Sequence, residues 1–135
     1  MYYGALEAGG TKMVCAIGDA DKNIIDRISI PTGTPDQSVP AMIDYFKKYD
    51  ISALGIGTFG PADINPNSPT YGSIMRSPKK DWEGFSLYKA FTDVLGCLVV
   101  VDTDVNAAAW GEYLYGALKG LNSGMYLTVG TGIGG

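Results

Sequence analysis

The 135 residues contain no histidine. That absence excludes Ser-His-Asp and Cys-His chemistry, histidine general bases and every histidine-containing metal site from this chain. Cysteine is scarce: Cys15 and Cys97 lie in apolar, strand-like runs, at a spacing that fits neither a zinc knuckle nor a redox CxxC. They read as two buried thiols in a reducing compartment. Positive charge is also short, with 10 Lys and Arg against 14 Asp and Glu and a net charge of -4. A nucleic-acid partner is therefore not expected, because a phosphate-binding face needs clustered cations. The one basic cluster, Arg76, Lys79 and Lys80, is too small for such a face. No apolar run approaches the ~20 residues of a membrane span. Met1-Tyr2-Tyr3-Gly4 lacks the basic start of a signal peptide. The expectation is a cytoplasmic protein with no membrane partner.

What is present is a 46% hydrophobic composition in a chain of single-domain length, enough to bury a core. Nineteen glycines, roughly twice ordinary usage, fall in tight groups directly after apolar runs. Strands are predicted over Tyr2 to Ala8, Lys12 to Ile17 and Asn23 to Ile30, joined by short Gly/Asp turns as in antiparallel hairpins. A helix is predicted from an N-cap at Ser38, with Pro40 in its first turn and Val39, Met42, Ile43 and Phe46 on one face. Ile51 to Thr58 is nearly all apolar or small, as in a strand buried on both faces. A Pro-, Asn- and Ser-rich loop runs from Gly60 to about Pro69, and a structureless loop of that length suggests function. Ser86 can cap a second helix that Gly96 stops. Leu98 to Val101 reads as another strand, a third helix starts at Asp104 or Val105 and runs to about Leu118, and Met125 to Val129 reads as a last strand.

The order βββαβαβα predicts a mixed sheet with helices on its faces. A doubly wound dinucleotide fold would begin βαβ; this order is the ribonuclease H-like, actin-like one. Met125-Tyr126, apolar residues and Gly134-Gly135 echo Met1-Tyr2, apolar residues and Gly9-Gly10 once one residue is inserted. The expectation is an N-terminal lobe over residues 1–119 and the first strand of a second, similar lobe over 120–135, in a longer two-lobed protein.

Gly9-Gly10-Thr11-Lys12 sits at the first strand turn. Glycines there let backbone N–H groups face an anion, with a hydroxyl and a charge beside them; a plain hairpin turn also accounts for them. Glu7 is a candidate Mg²⁺ ligand, direct or through water, or an exposed strand residue. Gly55, Gly57, Gly60 and Gly130, Gly132, Gly135 both match GxGxxG. The first fails on context, because no helix opens after Gly60-Pro61; the second equally fits a phosphate turn. The most informative constellation is Val99-Val100-Val101-Asp102-Thr103-Asp104, a buried strand running into a helix with two carboxylates at the junction. Ligands of open α/β sheets bind outside strand carboxyl ends, so Asp104 is a candidate catalytic acid or simply the helix cap.

Glu7-Ala8-Gly9-Gly10-Thr11-Lys12, Gly57-Thr58-Phe59-Gly60-Pro61, Asp104-Val105-Asn106-Ala107-Ala108 with Glu112, and Gly130 to Gly135 occur in that order. Together they resemble the ROK family of bacterial sugar kinases and repressors. Glu7, Gly72-Ser73-Ile74, Ser77-Pro78-Lys79 and Trp82 look most like its fructokinase branch. The resemblance implies an actin-like, two-lobed, ATP- and Mg²⁺-dependent hexose kinase, a homodimer when complete, acting on fructose and conceivably mannose. It implies that Asp104 takes the proton of the attacking sugar hydroxyl. Gly9, Gly10, Thr11 and Lys12 would form one phosphate loop, and Gly130, Thr131 and Gly132 a second. Gly60, Pro61, Pro78 and Thr103 would face the sugar. Thr103 stands where glucokinases of the family commonly carry Asn, which points away from glucose. The family's structural zinc would lie beyond residue 135. Phosphoryl transfer asks for positioned phosphates, Mg²⁺ and a base, all compatible with a histidine-free chain. A sugar-sensing regulator of the same family and a dinucleotide-binding oxidoreductase are the competing readings.

Overall fold

The computed structural model describes residues 1–130 and 132–135. Alternating burial along the first strand, β1 (Tyr2–Ala8), turns Gly4, Leu6 and Ala8 inward and leaves Ala5 and Glu7 on the opposite face. β2 (Lys12–Asp19) and β3 (Ile24–Pro31) follow as an antiparallel meander. β4 (Ile51–Thr58) then pairs parallel with β1, and β5 (Leu98–Thr103) parallel with β4. The resulting mixed sheet has the order β3-β2-β1-β4-β5, the architecture expected from the element order.

One face of the sheet is covered by α1 (Pro35–Phe46) and α2 (Leu87–Leu95), and there the core lies. Leu6, Met13, Cys15, Ile17, Leu54, Ile56, Val99 and Val101 meet Met42, Phe46, Leu87 and Phe91, with Phe46 and Phe91 edge to face at 6.1 Å. Burial pushes the Cys15 thiol up to about 12, so it is an inert core residue. The other face carries α3 (Asp104–Tyr115), which packs on β4 and β5.

Local chemistry sets α2 where expected: the Ser86 hydroxyl accepts the Lys89 N–H, and Gly96 ends the helix at φ 64°. α1 starts earlier than expected. Its N-cap is Thr34, with Pro35 as first helical residue and the Thr34 N–H donating to Gln37 Oε1. Ser38 is buried inside the helix, where its hydroxyl accepts the Gly33 N–H, and Pro40 is interior. α3 stops at Tyr115, short of Leu118.

The segment after β4 is not structureless. Residues 61–75 fold back on themselves, with Met75 donating to Pro61 O and Gly72 to Asp63 O. The Asp63 carboxylate accepts from Ser68 Oγ, Thr70 Oγ1 and the Asn65 N–H, which hold it below the usual carboxylate range. A short 3₁₀ turn at Lys80–Trp82 buries Trp82 between Phe59 and Phe85, and its indole N–H donates to Gly33 O at 2.9 Å. The expected strand over Met125 to Val129 shrinks to β6 (Thr128–Val129), paired only with β7 (Ile133–Gly134). Among the described residues it joins no edge of the five-stranded sheet, and Met125–Leu127 pairs with no strand. Among the described residues no helix is long and apolar enough to cross a membrane.

Candidate active site

Parallel pairing of β1, β4 and β5 puts their carboxyl ends side by side: Ala8 faces Thr58, and Thr58 faces Thr103. Each strand runs on into one of the motifs singled out in the sequence. The Gly9–Lys12 turn follows β1, Phe59-Gly60-Pro61 follows β4, and Asp104 opens α3 directly after β5. The Phe59 N–H donates to Ala8 O at 2.8 Å, tying the first two together. Open α/β sheets bind ligands at this end, because diverging loops leave a crevice there.

The Gly9–Lys12 turn is closed by Gly9 N–H donating to Lys12 O at 3.0 Å, and a Cβ on Gly9 would stand 2.6 Å from that same oxygen. Glycine is required here by close approach. The Thr32 hydroxyl donates to Gly9 O and the Thr32 N–H to Thr11 O, fixing the turn from β3's side. The N–H groups of Gly10 and Thr11 have no acceptor among the described residues. Of the four motif residues, then, it is Gly10 and Thr11 whose donors are available to an anion, with the exposed Lys12 beside them.

Asp104 is not the cap of α3. That role belongs to Thr103, whose hydroxyl oxygen accepts the Asn106 N–H at 3.2 Å. Asp104 is the first residue of the helix, half-buried, with Oδ1 near its neighbour's Val105 N–H at 2.9 Å. Its partner carboxylate, Asp102, is held by the Thr103 N–H and by Asn106 Nδ2. The helix lies low on the sheet because the strip beneath it is small. A Cβ on Gly57 would stand 3.0 Å from Ala107 Cβ and 3.5 Å from Asp104 Cα. Gly57 is therefore a packing residue inside β4, and with no helix after Gly60 the Gly55, Gly57 and Gly60 spacing is not a phosphate fingerprint.

Glu7, on the open face of β1, shares two cavities with Asp104. The larger, of about 620 Å³, is also walled by Ala5, Gly57, Val100, Asp102 and Trp110. The smaller, of about 60 Å³, is completed by Tyr126 and Thr128 from the chain leading into β6. The second glycine turn thus comes to the same end of the sheet through its strands: Gly130 N–H donates to Gly132 O, and a Cβ on Gly134 would lie 3.5 Å from Val105. Thr131 lies outside the described residues.

Magnesium keeps several waters and takes one or two carboxylates plus phosphate oxygens. Glu7, on a cavity it shares with Asp104, suits that donor set. No group of three or more acidic or cysteine side chains that could hold a metal occurs among the described residues, so they offer no zinc site. One neighbour escaped the sequence reading. Lys79 Cε lies 3.5 Å from where a Gly10 Cβ would stand, bringing a second lysine to the first glycine turn. Pro78 precedes it and is exposed.

Comparison with known proteins places this arrangement. Residues 3–135 match the protein family described as ROK family. The chain is 45% identical over 135 residues to a fructokinase of Lactococcus lactis subsp. cremoris, covering 100% of this chain and 46% of that protein. It is 44% identical over 134 residues to a fructokinase of Pediococcus pentosaceus, covering 99% and 46%. A ROK family glucokinase from Streptomyces griseus, solved in complex with glucose and AMPPNP, superposes with a TM-score of 0.82 at 30% identity, covering 99% of this chain and 43% of that one. The chain spans just under half the length of each of these relatives.

Proposed function

The chain belongs to the ROK family, and from that premise we propose that it forms the N-terminal lobe, residues 1–119, of an ATP-dependent hexose kinase whose substrate is fructose. Residues 120–135 begin the second lobe in this reading, and the complete protein is a homodimer. The observation that carries the proposal is the convergence of the Gly9–Lys12 turn, Gly60-Pro61 and Asp104 at the carboxyl ends of three adjacent parallel strands. Higher identity to two fructokinases than to the glucokinase of known structure supports the choice of sugar.

In the proposed reaction a sugar hydroxyl oxygen attacks the terminal phosphorus of ATP. The new O–P bond forms as the bond from phosphorus to the ADP oxygen breaks, and ADP leaves with that electron pair. The Asp104 carboxylate accepts the hydroxyl proton. Gly10 and Thr11 N–H groups and Lys12 hold phosphate oxygens, as charge-assisted donors do. Gly130, Thr131 and Gly132 supply the second phosphate turn, and Gly60, Pro61, Pro78 and Thr103 line the sugar side. Glu7 would hold Mg²⁺, directly or through water, and the ion would neutralise phosphate charge when bound. The family's structural zinc would be held by residues outside this chain.

The test is product formation by the complete protein. MgATP and fructose should give ADP and fructose 6-phosphate, with kcat/KM for fructose above that for glucose. Equal or better use of glucose would defeat the substrate assignment. Tight NAD binding without hexose-dependent ADP release would defeat the kinase reading.

A further inference from the structure

Lys79 is fixed at its main chain, and among the described residues its ammonium has no partner. Its N–H donates to the buried Ser77 hydroxyl at 3.2 Å, and its carbonyl accepts the Trp82 N–H at 3.0 Å. Trp82 is 1% exposed and anchored through its indole N–H to Gly33 O, so the turn carrying Lys79 is bolted to the lobe. The side chain crosses to the first glycine turn, where Cε comes within 3.5 Å of the position of a Gly10 Cβ. Among the described residues the one ion pair is Lys80 with Glu83 at 3.1 Å, and no carboxylate meets Lys79. The Lys79 side chain therefore lies beside Gly10, on a turn whose Gly10 and Thr11 N–H groups have no acceptor among the described residues.

Resting on the kinase reading, we propose that Lys79 is a catalytic residue that binds the terminal, transferred phosphoryl group of ATP. Four donors belong to or border one turn: the Gly10 and Thr11 N–H groups, Lys12 and Lys79. An ammonium donating to a neutral hexose hydroxyl has charge on one partner only, whereas with an anionic phosphate oxygen both partners are charged and the bond is the stronger. Lys79 reaches the turn from the Ser77-Pro78 side, the side assigned to the sugar. Its ammonium thus meets the phosphate nearest the sugar rather than those nearer the nucleoside. It would follow the charge on that group as the bond to ADP breaks.

The test uses the complete protein and compares AMPPNP with ADP, which differ in the terminal phosphoryl group. Lys79→Met should weaken AMPPNP binding by about 10- to 100-fold, the range for losing one charge-assisted contact, and leave ADP and fructose affinity within about 2-fold. Lys79→Arg should restore most of the loss, and Lys80→Met, next door but paired with Glu83, should change neither affinity. Unaltered AMPPNP binding by Lys79→Met, or equal weakening of AMPPNP and ADP, would overturn the assignment. Failure of the kinase reading itself shows separately, as absence of fructose-dependent ADP release by the unmutated protein.

Discussion

Replacing Gly57 by alanine adds one methyl group under the first turns of α3, and the structure sets the size of the effect. The new Cβ would stand 3.0 Å from Ala107 Cβ, 3.5 Å from Asp104 Cα and 3.8 Å from Thr103 O. Carbon atoms in good contact sit ~3.5–4.0 Å apart, so the helix has to rise by roughly half an ångström. Overpacking of this kind costs about 1–3 kcal/mol, reduced by the ~0.4–1 kcal/mol that alanine gains over glycine through the unfolded chain. Asp104 is on the turn that moves. Since a ~1 Å misplacement can cost on the order of 100-fold, a shift of half that size should lower kcat about 10-fold. Gly55→Ala is the matched control: same strand, same face, nothing within 4 Å of its added Cβ. It should be neutral or slightly stabilising. Urea midpoints and steady-state turnover of both variants in the complete protein decide the matter. Gly57→Ala with the stability and kcat of the control would refute the claim that this glycine sets the height of α3.

Trp82→Phe keeps most of the aromatic packing but leaves Gly33 O without its donor. It should cost about 1–3 kcal/mol, read from the denaturation midpoint, and Trp82→Tyr should not recover it. Asp63 predicts an acid-sensitive loop. Its carboxyl is held low by Ser68, Thr70 and Asn65, so its contribution is present above the ordinary carboxylate range near pH ~4 and is lost as pH falls through the lower folded value. Amide exchange in residues 63–73 should accelerate below that range, and Asp63→Asn should show fast exchange already at neutral pH.

Elements whose ends are set by neighbours in sequence were legible. α2 shows its Ser86 cap and Gly96 stop directly, and β1 and β4 show their lengths as apolar runs closed by glycine. The start of α1 was misplaced: the expected cap, Ser38, lies buried inside a helix capped by Thr34, and that burial is a tertiary fact. The fold of 61–82 was not legible, because Trp82 is anchored to Gly33 across 49 positions and no periodicity records that. The motif residues of the site could be named in order. Their neighbourhood could not: the packing of Gly57 under Ala107 leaves no mark in the sequence, and Thr103 took the cap that Asp104 seemed to fill. Strand propensity at Met125–Leu127 found no partner, since propensity says nothing about the edge a strand must join.

The central claim is that Asp104 takes the sugar's proton, and Asp104→Asn in the complete protein tests it most directly. Because Thr103 caps the helix, the substitution leaves the fold and the cap in place. Turnover with MgATP and fructose should fall by on the order of 10²–10⁴, with fructose affinity retained. Turnover equal to that of the unmutated protein would contradict the assignment.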